Sequence, residues 1–396
     1  MSARNPKHIV LAAGGTGGHM FPAQALAREL LARGLRVALV TDRRGGGFGP
    51  DLAQVETFRI SAGGLAGRGA VGKAVNLLRL GLGFLQARGF IKSQGAGIVV
   101  GFGGYPSVPT VFAGSGLGLR IVLHEQNAVL GRANRLLAGR ADVLATSFAR
   151  VDGIPESCKA KIHITGNPVR PAIAALSRRP YAVPDGNDTI RLLVTGGSQG
   201  ASVFNDVVPD ALRRLSNGLR ARIQISQQIR GPEVERVAKV YDHCGVRHDL
   251  RSFFDDMPER LAAAHLVICR AGASTITELA AAGRPGVLVP YPNATDDHQT
   301  ANAQRLAEAG GGWLIPQEAL SAAYLAERLT SLLSNPGTLA RASRCAQGTD
   351  AGRVARNIVA IVNAVGPDRG RMMNEKWGQI HFALTFILLN CVFYPM

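Results

Sequence analysis

One pattern, carried twice, constrains this chain more than any other feature. The stretches "HIVLAAGGTGGHMFPAQALAREL" (8–30) and "IRLLVTGGSQGASVFNDVVPDAL" (190–212) share a grammar: apolar run, two glycines, hydroxyl residue, glycine, helix-forming segment. Each predicts a strand, a tight turn and a helix whose first N–H groups can face an anion. Short apolar runs then alternate with helical stretches after each copy. "LRVALVTD" (35–42), "GIVVGFGG" (97–104), "RIVLHEQ" (120–126), "DVLATS" (142–147) and "KIHITGNP" (161–168) follow the first. "ARIQISQQ" (221–228), "VRHDLRSFF" (246–254), "HLVICRAG" (265–272) and "GVLVPYP" (286–292) follow the second. Such alternation predicts parallel strands joined by crossover helices. The expected fold is α/β: two Rossmann-like, doubly wound parallel-sheet domains, with an interdomain cleft at the carboxyl ends of their strands.

A length of 396 residues agrees with two domains. The proline-rich stretch "NPVRPAIAALSRRPYAVPDGNDT" (167–189) reads as the joint. The expected division is 1–168, a linker 169–185, a second domain 186–366 and an atypical apolar tail 367–396. Within the tail, Ile380 to Tyr394 is shorter than the ~20 residues that span a bilayer. Its wording, "NEKWGQIHFALTFILLNCVFYPM", resembles a fragment of haem–copper oxidase subunit I and is assigned no chemistry.

With 46% hydrophobic and 18% charged residues the chain reads as globular rather than disordered. Its net charge of +17 favours phosphates and anionic surfaces as partners. Nucleic acid is not expected, because no recognition motif accompanies the charge and aromatics are only 6%. The five cysteines show no C-x-x-C or Cys/His spacing, so a reducing setting without a metal centre is expected. The opening residues lack the apolar core of a signal peptide, and export is not expected.

In "GGTGGH" a dinucleotide fingerprint counted from Gly15 would need glycine at position 20, where Met20 stands. Asp42, at the end of the second run, is where a ribose-binding acid would sit and keeps a nicotinamide oxidoreductase open as an alternative. Gly14, Gly15, Thr16, Gly17 and Gly18 form a loop that a polar ligand can approach closely. His19 falls at the helix start, where the dipole favours a neutral imidazole able to accept a proton. A cap or packing role is the plainer reading of the same histidine.

In the second repeat, Ser198 can donate to a phosphate oxygen between Gly197 and Gly200. "RAGASTITELAAAG" (270–283) offers N–H donors from "GAST", and Glu278 one turn later can accept from a ribose diol. "DDHQTANA" (296–303) gathers Asp296, Asp297, His298 and Gln299, a group suited to sugar hydroxyls and weak as a metal site. "GFGGYPSVP" (101–109) and "HEQNAVLGRAN" (124–134) add Tyr105, His124, Glu125, Gln126 and Asn127 at strand ends, with helix capping as the alternative. Across 65–95, Val75, Leu78, Leu82 and Leu85 recur at helical spacing beside Lys73, Arg79, Arg88 and Lys92. That pattern suits a helix lying on an anionic bilayer, and equally an ordinary core-facing helix.

Taken in order, "GGTGGH", "GFGGYPS", "HEQN", "TGNPVR", "GGSQGA" and "GAST…TELAAAG…DDHQTANA" make residues 6–365 resemble the MurG family. The resemblance implies a GT-B fold and an inverting transfer of N-acetylglucosamine (GlcNAc). The donor is UDP-GlcNAc, and the acceptor is the C4 hydroxyl of N-acetylmuramic acid (MurNAc) in lipid I, giving lipid II for peptidoglycan. By motif match it implies Ser198 at the diphosphate, Glu278 at the ribose, Gln299 at the GlcNAc hydroxyls, and Arg170 and Phe254 at the UDP moiety. Thr16, Gly17, Gly18 and Asn127 would lie near the reacting sugar and are counted with the donor contacts. Gly14, Gly15, Tyr105, His124 and Glu125 would serve the acceptor, with His19 as general base. No cofactor or metal is implied, since helix N-termini can stabilise departing UDP. The implied partners are the two substrates, the cytoplasmic membrane surface and other cell-wall synthesis proteins. The implied location is peripheral, on the cytoplasmic face of the inner membrane. A non-catalytic binder of nucleotide sugar or anionic lipid remains the non-enzymatic alternative.

Overall fold

A computed structural model describes residues 8–14, 17–43, 47–49, 52–63, 70–184, 186, 188–197, 200–347, 359 and 362. Seven strands make the first sheet: β1 (His8–Ala12), β2 (Arg36–Thr41), β3 (Glu56–Arg59), β4 (Ile98–Gly101), β5 (Arg120–Glu125), β6 (Val143–Thr146) and β7 (Ile162–Ile164). Their order is β3-β2-β1-β4-β5-β6-β7. Six more make the second: β8 (Ile190–Thr195), β9 (Ile223–Gln228), β10 (Arg247–Arg251), β11 (Leu266–Cys269), β12 (Gly286–Leu288) and β13 (Gly312–Leu314). They run β10-β9-β8-β11-β12-β13. All named pairings are parallel, with Val10 opposite Ala38 on one side and Val99 on the other. In both sheets the order reverses beside the first strand, which opens a crevice at its carboxyl end. "GGTGGH" follows β1 and "GGSQG" follows β8, so the two repeats occupy equivalent places.

The central strands are apolar on both faces because helices cover both. Ile9 and Leu11 of β1 enter one core with Leu26 and Leu30 of α1 (Gly17–Ala32). Val10 enters the opposite core with Phe90 and Ile91 of α2 (Ala70–Ser93). In the second domain Leu192 and Val194 pack on Phe204 and Val208, while Leu193 on the other face packs with Ile276 and Leu279.

Two strands carry too weak a pattern to be read in advance. β3 is "ETFR" and β13 is the three-residue "GWL", and each lies at a sheet edge with a single partner strand. Two residues of the stretch expected as the second domain, 186–366, pack on the core of the first sheet. Val359 and Val362 are fully buried in the first domain's core beside Ile9, Leu11 and Val37. The first domain supplies the apolar surface that these two valines bury against.

For α2 the structure separates the two readings of its stripe. Val75, Leu78, Leu82 and Leu85 are 40%, 75%, 50% and 64% exposed, and the core is met instead by Ala87, Phe90 and Ile91. The leucines that the spacing picks out therefore face away from the core. The Lys73 side chain and the tail 367–396 lie outside the described residues.

Candidate active site between the two sheets

α1 starts at Gly17, directly after the first glycine turn, which puts His19 in its first turn among unpaired N–H groups. The loop after β4 lies against the imidazole: a Cβ added to Gly103 would come within 3.1 Å of His19 Cε1. Gly104 has φ +76°, and a Cβ there would meet Gly14 O at 2.8 Å. Glycine alone tolerates both that backbone region and that approach. Gly14 itself is buried beneath Pro106.

Behind His19 runs a line of hydrogen bonds. His19 Nδ1 is 2.9 Å from Gln126 Oε1, Gln126 Nε2 is 2.9 Å from His124 Nδ1, and His124 Nε2 is 3.0 Å from Gly166 O. Burial lowers the His124 pKa to about 4, against the opposing effect of the Gly166 bond, so the ring is neutral near pH 7. The neighbouring Glu125 carboxylate is filled by its own loop. Its Oε1 accepts from Asn127 N at 3.0 Å and Asn127 Nδ2 at 3.2 Å; its Oε2 accepts from Gly131 N and Asn134 Nδ2, both at 2.9 Å. His124 and Glu125 are buried, whereas Tyr105 is exposed and Asn127 half-buried. The first pair thus shapes the loop from beneath, and the second pair is open to a ligand.

On the other side of the cleft, the Ala273–Ala282 helix begins after Gly272, following β11. Glu278 lies on that helix, with Oε1 3.1 Å from Arg170 Nη2. Burial raises the Glu278 pKa above its ordinary value, and the guanidinium pulls it back only in part. Gln299, in the first turn of the His298–Glu308 helix, accepts through Oε1 from Ala271 N at 3.2 Å and Tyr291 N at 2.9 Å. Both partners are donors, so the amide oxygen is held inward and the NH2 group is left for a ligand. Phe254 is buried under Arg260, whose guanidinium stacks 4.0 Å from the ring centroid. Any contact of Phe254 with a nucleotide therefore comes from its main chain. Asp296 and Asp297 carry φ of 52° and 48°, a left-handed pair just before Gln299.

Residues of the two domains meet directly. Asn302 is fully buried: its Oδ1 accepts from Ala128 N at 2.7 Å and its Nδ2 donates to Ala271 O at 3.1 Å and to Asn127 Oδ1. Arg132 pairs with Asp296, with Nη2 2.8 Å from Oδ1, and Arg305 pairs with Asp152 at 3.2 Å. Asn167 Nδ2 lies 3.4 Å from Thr277 Oγ1. Asn302 thus joins Asn127 to Ala271, the partner of Gln299, while His19 is tied to the same first-domain loop through Gln126 and Glu278 lies in the second turn of the Ala273–Ala282 helix. Gly15, Thr16 and Ser198 lie outside the described residues. Sequence reasoning gave no role to Asn302, although its signal was present: it falls three residues after Gln299 and so lies on nearly the same helix face.

The profile of the glycosyltransferase family 28 N-terminal domain matches residues 9–146, and that of the C-terminal domain matches 191–358. A Rhodospirillum centenum protein is 53% identical over 364 residues, 92% of this chain and 96% of the relative. It is named UDP-N-acetylglucosamine–N-acetylmuramyl-(pentapeptide) pyrophosphoryl-undecaprenol N-acetylglucosamine transferase. A Rhodospirillum rubrum protein of the same name is 51% identical, covering 94% of this chain and 95% of its own. The crystal structure of Acinetobacter baumannii MurG superposes with a TM-score of 0.73 at 30% identity, over 91% of this chain and 100% of that one. The calicheamicin glycosyltransferase CalG4, at 15% identity and a TM-score of 0.60, shares the fold. With both domain profiles matched in order and about half of the aligned residues identical in the two Rhodospirillum proteins, the chain belongs to the MurG family of glycosyltransferase family 28.

Proposed function

We infer that this chain transfers GlcNAc from UDP-GlcNAc to the C4 hydroxyl of MurNAc in lipid I, with inversion, giving lipid II. The relatives' names carry the donor and the acceptor. The structural observation that supports the reading most is that the loop of His19 and Asn127 in one domain faces the helices of Glu278 and Gln299 in the other, with Asn302 bonding Asn127 to Ala271 across the gap. An inverting transfer needs one base at the acceptor and a stabilised leaving group at the donor.

In this reading His19 Nε2 takes the proton of the C4 hydroxyl as its oxygen attacks the anomeric carbon of GlcNAc. The bond from that carbon to the diphosphate breaks, and UDP leaves with the electron pair. The N–H groups at Gly272–Ser274 open a helix toward the diphosphate and stabilise the developing charge, and the motif match assigns Ser198 to the same group. Glu278 accepts from the ribose diol next to Arg170. Gln299 donates its NH2 group to a GlcNAc hydroxyl, and Thr16, Gly17, Gly18 and Asn127 surround the sugar. Gly14, Gly15 and Tyr105 line the acceptor side, over the loop that His124 and Glu125 hold in shape.

The acceptor's polyprenyl chain stays in the membrane, so the enzyme has to reach it there. Among the described residues no helix is long and apolar enough to cross a membrane. The exposed face of α2, with Leu78, Leu82 and Leu85 beside Arg79 and Lys92, suits peripheral docking on an anionic leaflet. The cytoplasmic face of the inner membrane is the location this requires.

The nicotinamide alternative has no support from the family match, and Met20 breaks its fingerprint. The test is UDP release by the purified chain given UDP-GlcNAc and a lipid I analogue. Acceptor-dependent release is expected. UDP-GlcNAc binding without release would leave a non-catalytic binder, and NAD(H) binding in place of UDP would restore the oxidoreductase.

A further inference from the structure

The polarity of the hydrogen bonds behind His19 is dictated by two main-chain carbonyls. A carbonyl oxygen only accepts, so whatever faces it carries a hydrogen. Gln126 Nε2 lies 2.9 Å from His124 O, which also accepts from Asn134 Nδ2 at 3.1 Å. The NH2 end of Gln126 must therefore face β5, and its other hydrogen points to His124 Nδ1 at 2.9 Å. At the far end, His124 Nε2 faces Gly166 O at 3.0 Å and must carry the ring's proton. A neutral imidazole protonated at Nε2 has its lone pair on Nδ1, which is the acceptor that Gln126 requires. Each bond agrees with the next.

One atom then remains. Gln126 Oε1 can only accept, and it stands 2.9 Å from His19 Nδ1. We propose that Gln126 is a positioning residue that fixes His19 as the Nδ1–H tautomer, leaving Nε2 with the lone pair that takes the acceptor's proton. This rests on the reading of His19 as the base. The same Oε1···H–Nδ1 bond persists when His19 becomes imidazolium, because both ring nitrogens then donate. Proton transfer therefore requires no rearrangement of Gln126 or His124. The arrangement is buried, with Gln126 at 1% and His124 at 0% exposure, so water does not offer His19 Nδ1 a competing acceptor from that side.

Two variants separate positioning from mere packing. Gln126→Met keeps the volume and removes every hydrogen bond. Gln126→Glu keeps an acceptor for His19 Nδ1, and its protonated form can still donate to His124. The primary measurement is the nitrogen NMR spectrum of the full-length, ligand-free enzyme carrying 15N-histidine, with His19 assigned by its loss in His19→Ala. In the unsubstituted enzyme His19 Nδ1 is expected to resonate as a protonated nitrogen and Nε2 as an unprotonated one. Gln126→Met should mix or reverse the two, and kcat should fall about 10- to 100-fold while KM for UDP-GlcNAc stays within about twofold. Gln126→Glu should restore the tautomer and recover much of kcat. A His19 protonated on Nε2 in the unsubstituted enzyme would overturn the proposal without recourse to any variant. So would a Gln126→Met enzyme with the tautomer unchanged, or with kcat and KM unchanged. If instead His19→Ala keeps its kcat, the assignment of the base fails, while the tautomer measurement still stands on its own.

Discussion

Asn302, buried in the second domain, donates a 3.1 Å hydrogen bond to Oδ1 of Asn127 in the first. The same side chain holds Ala128 N and Ala271 O, so one amide ties the loop after β5 to the loop before the Ala273–Ala282 helix. Removing it strands a buried N–H and two oxygens. Asn302→Ala should lower the unfolding free energy by about 1–3 kcal/mol, read from urea denaturation. Asn302→Asp keeps the acceptor for Ala128 N and points a carboxylate at two oxygens. Its deficit relative to the unsubstituted chain should exceed that of Asn302→Ala at pH 8 and shrink as the pH falls, because a protonated carboxyl regains one donor.

Glu278 should reveal a conflict between stability and binding. Its native pKa stands above the ordinary value, chiefly through burial, so the folded state binds that proton more tightly than the unfolded state does. The contribution is therefore unfavourable at neutral pH and is relieved as the pH falls through the raised value. Glu278→Gln should hold or raise the melting temperature at pH 8, and UDP affinity measured calorimetrically should fall about tenfold or more. Lower stability at pH 8 together with unchanged UDP affinity would assign Glu278 to the fold alone.

Loss of the base should appear in turnover rather than in donor binding. His19→Ala is expected to reduce kcat about 10²- to 10⁴-fold, with the dissociation constant for UDP-GlcNAc unchanged. Stopped-flow UDP release and calorimetry check the two halves of that statement. Equal losses in both would make His19 a packing residue of the first turn of α1.

Leu78 and Leu85 are more than half exposed, so replacing them costs the fold little. The double variant Leu78→Ser, Leu85→Ser should keep its melting temperature and its turnover of a water-soluble acceptor analogue. Its sedimentation with vesicles containing anionic lipid should drop severalfold, and binding of the unsubstituted chain should weaken as salt rises.

The two sheets were legible because their signal is local. β1 and β8 announce themselves as apolar runs ending in glycine, and each is completed by the helix that follows. β3 and β13 were not legible, since neither "ETFR" nor "GWL" forms an apolar run or alternation long enough to stand out. The site divides in the same way. Glu278, Gln299 and His19 stand in motifs whose residue types suggest their chemistry. The bonds that set those groups in place are not local: His19 meets Gln126 across 107 positions, and Asn302 meets Asn127 across 175. No spacing rule reaches that far. Glu125 shows the opposite hazard, a carboxylate in a binding motif whose oxygens are occupied by its own loop.

Val359 and Val362 carry a consequence for how the chain can be divided. Ala346 still belongs to the core of the second sheet, whereas Val359 and Val362 are buried in the core that begins with β1, so the polypeptide returns to the first sheet after building the second. A cut in the 169–185 joint would leave the amino-terminal half with a bare apolar patch beside Ile9 and Val37, and the carboxyl-terminal half with two valines that have nothing to cover. Such halves would have to find each other before either was whole, and the clasp that rejoins them would be Val359 and Val362.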